Sequence, residues 1–134
     1  MPAESRMRQT VVKMLRHCHA LSIVNGVGSG TPDVNLSYGW IELKTLPYWP
    51  KKAETVVQVP HFTQEQRLWL KRRCAAPLGE AYLLLKVEQD WVMFSGDTAA
   101  EFVGKVNKLQ LNQRCMFWAT TLPDLEKKLH ETFP

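Results

Sequence analysis

The pattern of apolar and polar positions in the first half of the chain predicts a helix followed by short strands. Residues 3–20 place their apolar side chains at roughly helical spacing, which predicts one amphipathic helix. A short strand is expected at 21–24, and the glycine-rich residues 25–32 are expected to form a loop. Residues 33–46 alternate apolar and polar positions around Tyr38-Gly39, which predicts a β-hairpin that turns at those two residues.

The second half of the chain predicts further helices and strands. Residues 45–60 are punctuated by prolines and are expected to form an irregular segment that is either a functional loop or locally disordered, because neutral connectors are shorter. A helix is expected from Thr63, which is spaced from Gln66 as in an N-terminal capping box, to about residue 76. The remaining elements are strands at 81–87 and 91–94, a short helix at 98–106, a strand or buried loop at 115–119, and a helix at 122–133 entered through Pro123. This order predicts an α/β fold in which a mixed β-sheet core is flanked by helices.

Composition narrows the class of protein without naming a function. The 134 residues are 45% hydrophobic and 22% charged, which is typical of one soluble globular domain over 1–134. The three cysteines include no Cys-x-x-Cys pair, which argues against a disulfide framework or a zinc knuckle and favours a reducing compartment. No apolar stretch has the length of a secretory or membrane segment, so no membrane partner is expected and the expected location is cytoplasmic, the host cytoplasm if the chain is phage-encoded. The net charge of +4 is compatible with a polyanionic partner but does not require one.

The predicted hairpin gathers polar side chains that could perform chemistry. With Tyr38-Gly39 as the turn, Asn35 is expected opposite Glu42, and Asp33 opposite Lys44. Alternation along the strands then places these four side chains on one face, while the apolar residues between them enter the core. Two neighbouring carboxylates would repel each other unless a divalent cation such as Mg²⁺ lay between them. Such a cation polarises a phosphodiester and lowers the pKa of a bound water, and a nearby ammonium can hold the phosphate or the attacking water.

The same residues carry a resemblance to a known family. Pro32-Asp33 followed by Glu42-Leu43-Lys44 resembles the motif of the PD-(D/E)xK nucleases. The glycine-rich approach at 28–33 and the helix that holds Gln66 make the chain most similar to the VRR-NUC and Holliday-junction-resolvase branch, over residues 4–95. The resemblance implies a restriction-endonuclease-like fold and a metal-dependent endodeoxyribonuclease, either structure-selective or nicking.

The resemblance also implies roles for individual residues. The metal, Mg²⁺ or Mn²⁺, would be bound by Asp33, Glu42 and the backbone carbonyl of Leu43, with Glu4 as the acidic residue on the first helix. Lys44 would complete the catalytic set, and Gln66 would lie near it.

Two of these assignments keep a purely structural alternative. Gln66 could simply cap the helix together with Thr63, and Gln64 would replace it if the register differed. Glu4 could be an ordinary acid that favours the helix dipole. The tryptophans Trp69, Trp91 and Trp118 are expected in the core and receive no functional role.

Basic residues near the predicted site are candidates for DNA contacts. They are Arg67, Lys71, Arg72 and Arg73 on the second helix, and Lys51 and Lys52 in the proline-punctuated segment beside Tyr48 and Trp49. Each could be a solvated surface residue. Beside a phosphodiester-cleaving site, however, basic groups interleaved with aromatics suit binding to the DNA backbone and stacking on unpaired bases.

Three functions are therefore compared at this stage. The first is a metal-dependent endonuclease acting on branched or duplex DNA, and the resemblance suggests a homodimer. The second is a non-catalytic DNA-binding or partner-binding module that retains the nuclease fold. The third is a metal-dependent enzyme acting on another phosphate ester. The intact set Asp33, Glu42 and Lys44 favours the first, because a decayed site would be expected to lose at least one of the three.

Overall fold

A computed structural model of the chain describes residues 3–24 and 28–134. Within them the helices are α1 (Ala3–Met14), α2 (Gln64–Ala75), α3 (Gly96–Phe102), α4 (Lys108–Arg114) and α5 (Leu122–Thr132). The strands are β1 (Leu21–Ser22), β2 (Val34–Leu36), β3 (Gly39–Leu46), β4 (Ala81–Val87), β5 (Asp90–Ser95) and β6 (Phe117–Ala119). They form one mixed sheet in sequence order, in which β3 and β4 are parallel and all other neighbours are antiparallel. The predicted mixed sheet with flanking helices is confirmed.

Helices cover both faces of the sheet, which gives three layers. One core contains the apolar faces of α1 and α5 together with Ile41 and Leu43 of β3. The other contains α2, α3, α4 and part of the segment 47–63, packed against β4 and β5. Strand residues alternate between these cores, so the polar positions of β3 lie beneath the second layer rather than on an open face. No helix among the described residues is long and apolar enough to cross a membrane.

The hairpin turn lies one residue earlier than predicted. Leu36 pairs with Gly39, so the turn residues are Ser37 and Tyr38, and Gly39 begins β3. A tertiary contact explains this, because both the backbone N–H and the hydroxyl of Ser37 donate to the carbonyl of Cys18, at 2.9 and 2.7 Å. Cys18, which follows the first helix, therefore holds Ser37 in the turn.

The predicted cross-strand pairs are consequently wrong, whereas the predicted faces are correct. Asn35 lies opposite Trp40 rather than Glu42, and continuing this register places Asp33 opposite Glu42 rather than Lys44. The pairing has moved by two residues. Because side chains alternate with a period of two, a shift of two leaves every residue on its predicted face.

Most of the other predicted helices and strands are present, but they begin or end at different residues. The first helix ends at Met14 and is followed by a 3-10 turn (Arg16–Cys18), where a helix to residue 20 was expected. Only Leu21–Ser22 of the predicted 21–24 strand is paired, and residues 25–27 of the predicted loop lie outside the described residues. The α2 capping box and the Pro123 entry to α5 are confirmed, and within the strand or buried loop predicted at 115–119 a strand forms over Phe117–Ala119.

The short helix predicted at 98–106 begins and ends earlier than expected, and a further helix follows it beyond the predicted region. The helix α3 begins at Gly96 and ends at Phe102, and Gly104 follows with φ +91°. The helix α4 was not predicted. Asn107 and Gln110 cap its first turn reciprocally, so its sequence signal was a second capping box without an apolar stripe behind it.

Candidate active site

Two charged residues of β3 are buried side by side. Glu42 is 2% exposed and Lys44 is 8% exposed. The Lys44 ammonium lies 3.4 Å from Glu42 Oε2 and donates a hydrogen bond of 2.8 Å to the carbonyl of His61. The lysine is therefore held between the strand and the loop that covers it.

Asp33 joins this pair from the neighbouring strand. It lies immediately before β2, and its Oδ2 accepts a 2.8 Å hydrogen bond from the backbone N–H of Leu43. Its other oxygen, Oδ1, accepts a 2.8 Å bond from Arg8 on α1. The structure thus brings Asp33, Glu42 and Lys44 together, as the sequence predicted.

The electrostatics of Glu42 are unusual for a carboxyl group. Burial, which is the largest cause, and the neighbouring Asp33 carboxylate together raise the pKa of Glu42 to about 9, although the Lys44 ammonium opposes the shift. Glu42 Oε1 is buried and has no hydrogen-bond partner among the described residues. Without an additional cation, this carboxyl group keeps its proton at neutral pH.

The backbone beside these side chains offers a further oxygen. A strand residue that donates its N–H toward one neighbour also points its carbonyl toward that neighbour, so the Leu43 carbonyl faces the Asp33 side of β3. The β2–β3 register, continued, places Pro32 opposite Leu43. Proline has no N–H with which to pair that carbonyl, and the ladder ends there.

These oxygens fit a hard divalent cation. Among the described residues no group of three or more histidine, cysteine or acidic side chains could hold a metal. A site here would consist of the Asp33 and Glu42 carboxylates and the Leu43 carbonyl, completed by water or a phosphate, which is the donor set that Mg²⁺ prefers. The unpartnered Glu42 Oε1 is the atom that such an ion would satisfy.

Arg8 was not predicted as a site residue, yet it contacts the cluster directly. Besides its bond to Asp33, its Nη2 atom lies 3.9 Å from Glu4, one helical turn away. Glu4 is 53% exposed, so the arginine, and not a direct contact, connects it to Asp33. The sequence signal was the four-residue spacing from Glu4, which places both side chains on one side of α1.

Gln66 takes part in the capping box of α2. Its side-chain oxygen accepts from the Thr63 N–H at 2.9 Å, and its own N–H donates to the Thr63 hydroxyl at 3.2 Å. The same helical turn contacts the loop that leads to Asp33: a Cβ added to Gly30, at φ +81°, would lie 2.4 Å from the Glu65 carbonyl oxygen. The backbone of Gln66 thus lies near the loop that leads to Asp33. The catalytic role of its side chain stays a prediction.

The predicted DNA-contacting residues of α2 differ in their surroundings. We call Lys71, Arg72 and Arg73 the α2 basic run; the first two are exposed, and the Arg73 guanidinium lies 4.6 Å from the Trp69 ring centre. Arg67 instead donates to the Ala100 carbonyl at 3.1 Å and stacks over Phe62, and burial lowers its pKa. Arg67 therefore supports the second layer, whereas the α2 basic run faces outward.

Lys51 and Lys52 are exposed on the segment 47–63, as expected of a functional loop. Of the tryptophans expected in the core, Trp91 is buried, whereas Trp69 and Trp118 are partly buried against the second core. The surroundings of Trp118 were not predicted and are described below.

Comparison with known proteins identifies the fold. No protein-family model and no curated protein sequence matches the chain. Among solved structures, the chain is similar to Hjc, a Holliday junction resolvase from the archaeal hyperthermophile Archaeoglobus fulgidus, with a TM-score of 0.50 and 20% sequence identity. The match covers 81% of this chain and 92% of Hjc. This chain therefore has the restriction-endonuclease-like fold of Hjc.

Proposed function

We propose that the protein is a Mg²⁺- or Mn²⁺-dependent endodeoxyribonuclease that hydrolyses phosphodiester bonds in branched DNA, with residues 1–134 as one nuclease domain. One observation carries the proposal. Asp33, Glu42 and Lys44 converge at the point where the β2–β3 ladder ends, and a buried carboxylate oxygen there lacks a partner among the described residues. The fold supports the same conclusion, since Hjc is a Holliday junction resolvase.

The ion would be held by Asp33, Glu42 and the Leu43 carbonyl, with Glu4 as a further ligand if α1 presents it. When bound, such an ion lowers the pKa of a coordinated water and offsets charge on the phosphate. Glu42 must give up its proton to act as a ligand, because metal ligands bind in their deprotonated form. Ion binding is therefore expected to release a proton below about pH 9.

Lys44 would stabilise the charge that develops on the reacting phosphate. Its ammonium has three donors, and contacts with Glu42 and His61 leave one of them for the substrate. The His61 carbonyl fixes the position of the ammonium before the reaction, so little reorganisation is needed in the transition state. Gln66, on the helix that follows, would lie beside the same phosphate.

Substrate binding would use the α2 basic run together with Lys51 and Lys52, which are exposed apart from the partly buried Arg73. A four-way junction contains two strands to be cut, and a homodimer would supply two sites. Light scattering of the protein alone and with a four-way junction would test this part of the proposal.

The central test is cleavage of a DNA panel comprising a four-way junction, a fork, a duplex and a single strand, in Mg²⁺, Mn²⁺ or chelator. The wild-type protein should cut branched DNA only with the metal. Lys44→Ala should lose cleavage by about 10²–10³-fold while keeping its fold and its DNA affinity, because it removes transition-state stabilisation. Lys13→Ala, at an exposed position on α1, is the matched control. Equal cleavage by Lys44→Ala and wild type, or no cleavage of any substrate, would reject the enzymatic proposal.

A second candidate function is a DNA-binding or partner-binding module, and one observation favours it. Arg8 already contacts Asp33 at 2.8 Å, and the raised pKa of Glu42 keeps that residue uncharged at neutral pH, so the cluster holds no uncompensated negative charge without a metal. Binding of branched DNA without metal dependence, combined with no cleavage, would select this function.

A further inference from the structure

A pocket of about 440 Å³ lies between the segment 47–63 and α4. Its walls include Lys51 and Lys52 from the segment, Lys108 and Leu109 from α4, and Trp118 from β6. This volume falls in the range of sites that enclose a small organic group. None of the catalytic candidates lines it, so it is separate from the Asp33 cluster.

The aromatic wall of this pocket is rigid. Trp118 stacks on Trp49, with ring centres 5.2 Å apart and planes 18° from parallel. Trp49 is fixed in turn by its backbone N–H, which donates to Glu88 at 2.9 Å, and by its indole N–H, which donates to Asp90 at 2.7 Å. Trp118 is therefore held at the pocket by a ring that is itself fixed by two hydrogen bonds.

The segment itself is fastened at its far end. Val57 donates its N–H to the Val106 carbonyl at 2.9 Å, and Val56 forms an isolated bridge with Asn107 just before α4. The two sides of the pocket are therefore connected by backbone hydrogen bonds, and the pocket does not depend on a ligand to form.

The charges around the pocket have one sign. Lys51, Lys52 and Lys108 are exposed, and no acidic side chain occurs among the described residues that line the pocket. The Lys108 ammonium lies 4.8 Å from the Trp49 ring centre and 5.8 Å from that of Trp118. Leu109 is 63% exposed and adds apolar surface to the pocket. Positive charge, an aromatic wall and an exposed leucine thus surround one cavity.

We infer that this pocket binds an unpaired nucleotide of the DNA strand. The base would pack between Trp118 and Leu109, and its flanking phosphates would contact the three lysines. Asn112, which also lines the pocket, offers both a donor and an acceptor to a base edge. A base inside a duplex cannot use the pocket, because its faces are covered by the neighbouring base pairs.

The position of the pocket connects it to the proposed function, on which this inference rests. The segment that lines the pocket also carries His61, whose carbonyl holds Lys44. Trp49 is five residues beyond Lys44, so their Cα atoms are at most about 17 Å apart. A strand that places an unpaired nucleotide in the pocket could therefore reach the Asp33 cluster a few nucleotides away. The pocket would make the protein prefer branched DNA with unpaired nucleotides near the branch.

The experiment compares two labelled DNAs of equal length by fluorescence anisotropy in chelator, a fork with unpaired arms and a fully paired duplex. The pocket variant is Lys108→Ala with Leu109→Ser, both in the exposed wall of the pocket, so that the fold is kept. The control is Lys13→Ala with Leu122→Ser, which removes the same groups from exposed positions elsewhere. The wild type and the control should prefer the fork, and the pocket variant should bind the fork about tenfold more weakly while duplex affinity falls by less than about threefold.

Several outcomes would overturn the inference. If the pocket variant binds fork and duplex more weakly by the same factor, the pocket acts only as a patch of positive charge. If the variant binds both DNAs as tightly as the wild type, the pocket takes no part in DNA binding. Displacement of the fork by an oligoglutamate peptide as effectively as by oligothymidylate would assign the pocket to an acidic protein partner. The binding assay contains no metal, so its result is independent of the cleavage test. If the pocket variant loses the preference for the fork while the wild type cuts no DNA in the metal-containing cleavage test, catalysis is rejected and the pocket is kept. If the wild type cuts branched DNA but the pocket variant keeps the preference for the fork, the pocket is rejected and catalysis is kept.

Discussion

Replacing Glu42 by glutamine should stabilise the metal-free protein at neutral pH. The carboxyl group is buried beside Asp33, and burial raises its pKa from 4.5 to about 9. Between these two pH values the folded protein holds a proton on Glu42 that the unfolded chain has lost. The free energy of unfolding therefore falls as the pH rises through this window. Glutamine is similar in shape and does not titrate, so Glu42→Gln should lose this pH dependence.

The size of the effect follows from the same two values. Each pH unit between the unfolded and folded pKa contributes about 1.4 kcal/mol. At pH 7 the wild type should therefore be less stable than Glu42→Gln by about 3 kcal/mol, and near pH 4.5 the two proteins should have nearly equal stability. The glutamine substitution does not remove a negative charge from beside Lys44 at pH 7, because Glu42 is already protonated in the folded wild type.

Urea unfolding in chelator at pH 5, 6, 7 and 8 would measure the effect. Other titrating groups cancel when the variant is subtracted from the wild type at each pH. Glu126→Gln, at an exposed position on α5, is the matched control and should follow the wild type. If Glu42→Gln and wild type show the same dependence on pH, the Glu42 carboxyl group is ionised in the folded protein and the electrostatic argument is wrong.

Three further predictions test the surroundings of the site. Arg8→Met should lower the free energy of unfolding of the metal-free protein by about 1.5–3 kcal/mol, because it removes a charge-assisted hydrogen bond to Asp33. The same variant should bind Mn²⁺ more tightly in calorimetry, and an unchanged affinity would show that Arg8 does not compete with the ion. Gly30→Ala should destabilise the fold by about 1–3 kcal/mol in urea, since its φ is positive and its Cβ would meet α2, whereas Gly28→Ala, with 3.8 Å of room, should have little effect. Neutralising the α2 basic run should weaken DNA binding and reduce its log–log salt slope by about 0.9 for each phosphate that the protein no longer neutralises; an unchanged slope would make the run a solvated surface.

The sequence predicted the faces of the hairpin better than its pairs. Alternation of apolar residues determines which side of β3 enters the first core, and this depends on local pattern alone. The position of the turn depends on Ser37 contacting Cys18, and no local pattern contains that contact. For this reason Glu42 and Lys44 were placed on the right face while their partners across the ladder were wrong.

The residues that contact Asp33 and Lys44 could not be predicted from the sequence pattern either. Arg8 and His61 contact Asp33 and Lys44 from elements far away in sequence, and only the packing of α1 and of the covering segment brings them there. Helix α4 was missed because one capping box and a single buried leucine give little periodic signal. Lys51 and Lys52 were predicted as DNA contacts. The pocket beside them could not be predicted, because its other walls come from α4, which was missed, and from β6.

The parallel pairing of β3 with β4 has a consequence for the order of folding. The two carboxylates come from a hairpin whose strands are close in sequence, and such contacts form early. Trp40 pairs with Ala81, and Leu46 with Val87, so the chain between them must complete a long excursion before this pair can close. That excursion carries His61, whose carbonyl holds Lys44. Asp33 and Glu42 are therefore expected to meet before β4 and His61 complete the surroundings of the site, so a partly folded chain should hold the two acidic groups without the raised Glu42 pKa of the folded protein.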